Sequence, residues 1–188
     1  MISQRVAVII GSTRANRIGP EIAVWVRDAL REGSSLHYEL VDLAEVALPF
    51  LDEPRMPALG EYAHAHTRAW SELILSFDAV VFVFPQYNGG YPGVLKNAVD
   101  FLYAEWRDKP AALVSYGTRG GNRAAAGFLA VLNRLHLRVI DTSLELALPE
   151  ADKDAAGHLR EVEATLAPYR DQVRALDAGL TAALAAPA

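Results

Sequence analysis

Apolar positions in this chain alternate between two rhythms. Arg5-Val6-Ala7-Val8-Ile9-Ile10, Asp78-Ala79-Val80-Val81-Phe82-Val83-Phe84 and Pro110-Ala111-Ala112-Leu113-Val114-Ser115-Tyr116 are short, nearly unbroken apolar runs. Such runs suit strands buried on both faces of a parallel sheet. Leu36 to Leu43 adds a strand with partial alternation, and Leu137 to Ile140 a fifth. Between them the spacing turns helical: through Ile22, Val26 and Leu30, from about Tyr62 to Ser76, from Val94 to Leu102, from Ala124 to Leu135, and from about Ala156 to Leu184. This order predicts an α/β protein with a doubly wound, five-stranded parallel sheet, helices on both faces and right-handed crossovers. Neither an internal repeat nor a linker interrupts it, so residues 1–188 are expected to form one domain, its alanine-rich end, Ala182 to Ala188, frayed.

Three loops follow the first, third and fourth strands. In a sheet ordered 2-1-3-4-5 those strands are neighbours, and their C-terminal loops meet in one crevice at the switch point. The first loop, Gly11-Ser12-Thr13-Arg14-Ala15-Asn16-Arg17-Ile18-Gly19-Pro20, brings two hydroxyls and two guanidinium groups to a helix start. That chemistry seats a terminal phosphate. It lacks the Gly-Lys-Ser/Thr of a triphosphate loop and the Gly-x-Gly-x-x-Gly of a dinucleotide fingerprint. Ser12 and Thr13 are equally compatible with plain helix capping. The second loop, Pro85-Gln86-Tyr87-Asn88-Gly89-Gly90-Tyr91-Pro92-Gly93, offers adjacent glycines, two flat rings and two amides, and so can hold a planar heterocycle. Ser115-Tyr116-Gly117-Thr118-Arg119-Gly120-Gly121-Asn122-Arg123 is the third.

Composition narrows the class. With 52% hydrophobic and 22% charged residues the chain is globular, and its net charge of -5 argues against a nucleic-acid surface. The absence of cysteine excludes disulfides, thiolate metal sites and cysteine nucleophiles, and fits a cytoplasmic protein. No apolar run approaches the roughly 18 residues of a membrane span, and Met1 to Arg5 has no signal-peptide layout. His64 and His66 lack a third ligand nearby, and His136 and His158 stand alone, so no metal site is expected. Lys96 and Asp100 are spaced to pair along a helix, or to lie at a subunit contact. The run Phe101, Leu102, Tyr103, Trp106 is too apolar for one helix face and implies burial either in the core or against a partner beside the ligand site.

Gly11-Ser12-x-Arg14, with Pro85-Gln86-Tyr87-Asn88-Gly89-Gly90-Tyr91-Pro92-Gly93-x-Leu95-Lys96-Asn97-Ala98-x-Asp100, resembles the NADPH-dependent FMN reductase family of flavodoxin-like proteins, which includes flavin, quinone, azo-dye and chromate reductases. The resemblance runs from about Val6 to Ile140. It implies a flavodoxin-like fold, bound FMN, NADPH or NADH as donor, a small-molecule acceptor, and a homodimer or dimer of dimers. Residue by residue, it implies that Ser12, Thr13, Arg14, Arg17, Ile18 and Gly19 hold the phosphate, that Pro85, Gln86, Tyr87, Asn88 and Gly89 hold the isoalloxazine, and that Ser115, Gly117 and Gly121 lie on its far side. Many relatives carry serine in place of Arg17 and glutamate in place of Gln86; the latter change leaves the pocket one negative charge poorer and favours an anionic reduced flavin.

In such a protein the cofactor carries the chemistry and no side chain is required as acid or base. Backbone N–H groups of Asn88, Gly89 and Gly90 and of Gly117 to Gly121 are expected to stabilise charge on the flavin ring. A single binding face for donor and acceptor implies ping-pong kinetics. Two other classes stay open on the sequence alone: a flavodoxin-type electron carrier, which needs a separate reductase, and a flavin-free phosphate-binding module.

Overall fold

The computed structural model describes residues 4–186. Its strands are β1 (Arg5–Ile10), β2 (His37–Asp42), β3 (Ala79–Pro85), β4 (Pro110–Gly117), β5 (Arg138–Val139) and β6 (Leu144–Ala147). Its α-helices are α1 (Gly19–Arg31), α2 (Leu43–Val46), α3 (Ala65–Leu75), α4 (Gly93–Asp100), α5 (Asn122–Arg134), α6 (Val162–Leu166) and α7 (Arg170–Ala185). The sheet is parallel and ordered β2-β1-β3-β4-β5, with β6 also paired to β4. This is the doubly wound, flavodoxin-like order.

The apolar runs are buried because the sheet has a helical layer on each side. Val6, Val8 and Ile10 of β1 point with Val81, Val83, Ala112 and Val114 into a core shared with α1 and α7. Ala7, Ile9, Val80, Phe82 and Leu113 point the other way, against α3, α4 and α5. Every residue of β3 is buried, as its unbroken apolar run requires.

Two expectations are corrected. The edge position beyond β4 is divided: β5 pairs only with Pro110 and Ala111, and β6, absent from the sequence reading, pairs with Val114 to Gly117. The long final helix is broken, because Gly157 takes a left-handed φ of 89° and Pro168 falls between α6 and α7, where its missing N–H and fixed φ interrupt the helix. The helix that forms nevertheless continues to Ala185 and packs Leu184 against the core, so regular structure extends into the segment expected to fray; Pro187 and Ala188 lie outside the described residues.

The apolar run after α4 is core. Phe101, Leu102 and Trp106 are buried within the chain, and Trp106 donates its indole N–H to the Val99 carbonyl at 3.0 Å. They are therefore not the surface for a partner. Lys96 pairs with Asp100 on the same helix. Asn97, between them, ties down the proline-rich loop, donating to the Pro49 carbonyl at 2.7 Å and accepting from the Leu51 N–H at 2.9 Å.

Candidate active site

The three loops do converge. The carboxyl ends of β1, β3 and β4 enclose a cavity of about 320 Å³, within the range of small-molecule sites. One end is built by the loop after β1. Ser12, only 1% exposed, shares a 2.7 Å hydrogen bond between its Oγ and the Tyr87 hydroxyl. Arg14 lies over the Tyr87 ring, 5.8 Å from its centroid, and Ser12, Arg14 and Tyr87 all line the cavity. Tyr87 thus sits with Ser12 and Arg14 of the β1 loop, whereas the sequence resemblance placed it with the residues of the ring.

Arg17 is held differently from expectation. Its guanidinium makes a bidentate pair with Asp42 at 2.7 and 2.6 Å and also donates to the Ser12 carbonyl. Both side chains are largely buried, at 16% and 13% exposure. Arg17 lines the cavity, yet its donors bind the β1 loop to the end of β2. Burial alone would raise the Asp42 carboxyl, but the Arg17 hydrogen bonds and the Ala44 N–H outweigh it and hold the group below the ordinary carboxylate range.

Gly19 serves packing. A Cβ there would come within 2.9 Å of the Tyr116 hydroxyl, which burial pushes well above its ordinary pKa. Tyr116 itself lines the cavity, and the sequence reading missed it. Helix α1 begins without a side-chain cap, with Pro20 in its first turn, so Ser12 and Thr13 are not its capping residues. Thr13 is exposed and outside the cavity wall; Ile18 is part of it.

The loop after β3 is a tight reversal. The Tyr87 N–H donates to Gly90 at 2.8 Å and the Gly90 N–H returns to Tyr87 at 2.9 Å. Its two central residues, Asn88 and Gly89, have φ of 50° and 85°. That is the type I′ geometry, for which Asn-Gly is the favoured pair. Pro85, Gln86 and Tyr87 line the cavity, while Asn88 and Gly89 form the turn beyond it. The Gln86 side-chain oxygen accepts the Ala124 N–H at 3.2 Å, capping α5 from a neighbouring loop.

The loop after β4 is wound on itself. Ser115 donates to the Gly120 carbonyl at 2.7 Å, and Gly121, at φ 84°, packs so closely that a Cβ would lie 3.0 Å from the Ser115 Cβ. Ser115 and Gly121 therefore shape the loop from beneath, and Gly117 with Thr118 presents it to the cavity. The remaining wall, Leu148 to Gly157, follows β6 and was not foreseen. Among the described residues no cluster of His, Asp and Glu is arranged for a metal, and no helix is long and apolar enough to cross a membrane.

Residues 4–153 match the family model described as NADPH-dependent FMN reductase. An NAD(P)H-dependent FMN reductase of Schizosaccharomyces pombe is 44% identical over 158 residues, covering 83% of this chain and 78% of that protein. A quinone reductase of Pseudomonas putida is 34% identical, covering 68% and 70%. Among solved structures, the flavoenzyme NAD(P)H:(acceptor) oxidoreductase FerB of Paracoccus denitrificans superposes with a TM-score of 0.71 at 25% identity, covering 95% of this chain and 98% of that one.

Proposed function

The chain belongs to the NADPH-dependent FMN reductase family, with FMN and NAD(P)H as its cofactors, and on that premise we propose that it delivers reducing equivalents to a small acceptor such as a quinone, free flavin, azo compound or metal oxyanion by a ping-pong cycle at the cavity between β1, β3 and β4. The residues present fit the cofactor. One observation carries the reading: the Ser12 and Tyr87 hydroxyls and the Arg14 guanidinium converge at one end of a cavity whose other walls are Gln86, Gly117 and Thr118. A phosphate suits the first end, and loop backbone that can approach a planar ring suits the second.

When bound, FMN supplies the capacity to accept a hydride from the nicotinamide and to pass electrons onward. The chain's own contribution is position and polarity. Arg14, Ser12 and Tyr87 anchor the phosphate; the Arg17–Asp42 pair fixes the loop that carries Ser12. Gln86 holds α5 against the cavity, and Ser115 keeps the Gly117–Gly121 loop wound so that its amides stay near the ring site. Ser12 and Tyr116 are buried in the wall of the phosphate end. Quinone as an acceptor class is supported by the Pseudomonas putida relative.

The same reading includes a homodimer or dimer of dimers and a cytoplasmic location. The most exposed large apolar side chains among the described residues lie in the proline-rich loop, where Phe50 is 91% and Met56 69% exposed. Light scattering coupled to size exclusion tests the assembly, a stable active monomer counting against it. The activity is tested by the absorbance spectrum of the purified protein and its bleaching by NADPH without oxygen. Parallel double-reciprocal lines for NADPH against a quinone are expected. Intersecting lines reject the ping-pong cycle, and a flavin band that NADPH cannot bleach without an added reductase rejects the proposed catalytic cycle.

A further inference from the structure

Where the residues matched by the family model end, the chain makes a closed hairpin that docks on the β1 loop. Lys153 and Leu159 form an antiparallel bridge, the Asp154 N–H donates to the His158 carbonyl at 2.8 Å, and the Arg160 N–H to the Asp152 carbonyl at 2.9 Å. The Asp154 carboxylate accepts the N–H groups of His158 and Ala156, at 3.0 and 2.9 Å, which together hold it below its ordinary pKa. Gly157 turns the tip at φ 89°.

The tip is fastened by two side chains far away in sequence. Asn16 donates from Nδ2 to the Ala156 carbonyl at 2.5 Å, so its Oδ1 is left to accept, and His158 Nε2 donates to it at 2.7 Å. His158 Nδ1 meets the Glu21 carboxylate in the first turn of α1. Ala156, Gly157, Asn16 and Lys153 thereby line the same cavity as Ser12 and Arg14.

We propose that the Asp152–Arg160 strap, latched by Asn16 and His158, closes the phosphate end of the cavity and makes the site select a flavin mononucleotide over a dinucleotide. This rests on the cofactor assignment above and adds to it a determinant of specificity. A monoester phosphate terminates at Ser12 and Arg14. A pyrophosphate would continue through the space that Ala156 and Gly157 occupy.

The test uses the flavin-loaded protein and two variants: Asn16→Ala combined with His158→Ala, which removes the latch, and a deletion of Ala155 to Gly157, which removes the tip itself. Release of FMN is followed by recovery of flavin fluorescence, and relative affinity by competition between FMN and FAD. Both variants are expected to release FMN at least about ten-fold faster and to lose at least about ten-fold of the FMN-over-FAD preference, the scale of one lost hydrogen bond to a charged group. An unchanged preference in the deletion variant overturns the proposal whatever the release rate. A wild type that holds neither flavin overturns the cofactor assignment and this inference with it, and so is distinguishable from failure of the strap alone.

Discussion

Exchanging Asp42 for asparagine should weaken the fold and strengthen cofactor binding together. Asp42 receives two charge-assisted hydrogen bonds from Arg17 and one from the Ala44 N–H at 2.9 Å. Asparagine can keep the last and one of the first two, but not the charge. A hydrogen bond to a charged group is worth about 1.5–3 kcal/mol, and residual exposure screens the pair, so Asp42→Asn should cost about 2 kcal/mol. For a chain of this size that is a fall in Tm of about 4–8 °C. Arg17→Ala should cost about as much or more, because it strands the carboxylate and frees the Ser12 carbonyl.

The two variants should then separate on cofactor affinity. Without Asp42's charge, the Arg17 guanidinium, already in the cavity wall, acts on the phosphate uncompensated, a gain of about 1 kcal/mol or five-fold in affinity. Without Arg17 the loop loosens and affinity falls. Thermal melts and FMN titration by fluorescence quenching read the two quantities separately. Equal losses of affinity in both variants would refute the argument that Arg17's charge is neutralised by Asp42. The pair also predicts a pH dependence: Asp42 protonates near 3.8 when unfolded and lower when folded, so the unfolded state binds more protons between those values. The stability it contributes is present above about pH 4 and lost as pH falls through the folded pKa, and the gap between wild type and Asp42→Asn should close there.

Gly121→Ala should destabilise by about 3 kcal/mol or more, since it combines a left-handed φ with a Cβ 3.0 Å from the Ser115 Cβ and 3.1 Å from the Tyr116 N; a normal melting temperature would dismiss that packing. Gly89→Val should give a folded protein that retains flavin and oxidises NADPH less well, by roughly five- to thirty-fold. Its Cβ meets no chain atom nearer than 3.9 Å, so the cost comes from φ 85°, about 1–2 kcal/mol for a β-branched residue, and Gly89→Asn should recover much of it. Equal behaviour of valine and asparagine at this turn would rule out backbone strain as the cause. Arg14→Ala should weaken FMN by about 1.5–3 kcal/mol with little change in the melt of the flavin-free protein, and unchanged retention would remove Arg14 from the site.

The features legible in the sequence were those set by local pattern. Continuous apolar runs marked β1, β3 and β4, because a strand with helices on both faces has no polar side to show. The alternation of runs and helical spacings implied a parallel sheet covered on both faces, and the order 2-1-3-4-5 of the flavodoxin-like resemblance placed the crevice. What escaped depends on distance along the chain. Arg17 finds Asp42 only because β1 and β2 are neighbours in space, and His158 reads as isolated because Asn16 is 142 residues away. The broken final helix was visible in part: Pro168 and Gly157 both oppose a continuous helix, but the surrounding alanine, leucine and arginine favour one. Strand β6 has the period-two pattern of Leu144-Glu145-Leu146, too short to stand out from a helical background.

Charge explains why the end of the cavity proposed for the phosphate needed the structure for its interpretation. By composition it is a basic patch in an acidic chain, with Arg14, Arg17 and Lys153 in one cavity wall. Arg17 is matched by Asp42 and Lys153 by Glu150 at 2.7 Å. Among the described residues Arg14 takes part in no ion pair and rests on the Tyr87 ring. A cation already paired in a partly buried site contributes little net field, because its partner cancels it over the distance to the ligand. One uncompensated guanidinium, two hydroxyls and loop N–H groups then suffice for a dianion without leaving the apo site strongly repulsive to itself. The same matching makes the site adjustable from outside, since Asp42 is not part of the cavity wall and removing it leaves the Arg17 charge in that wall unmatched.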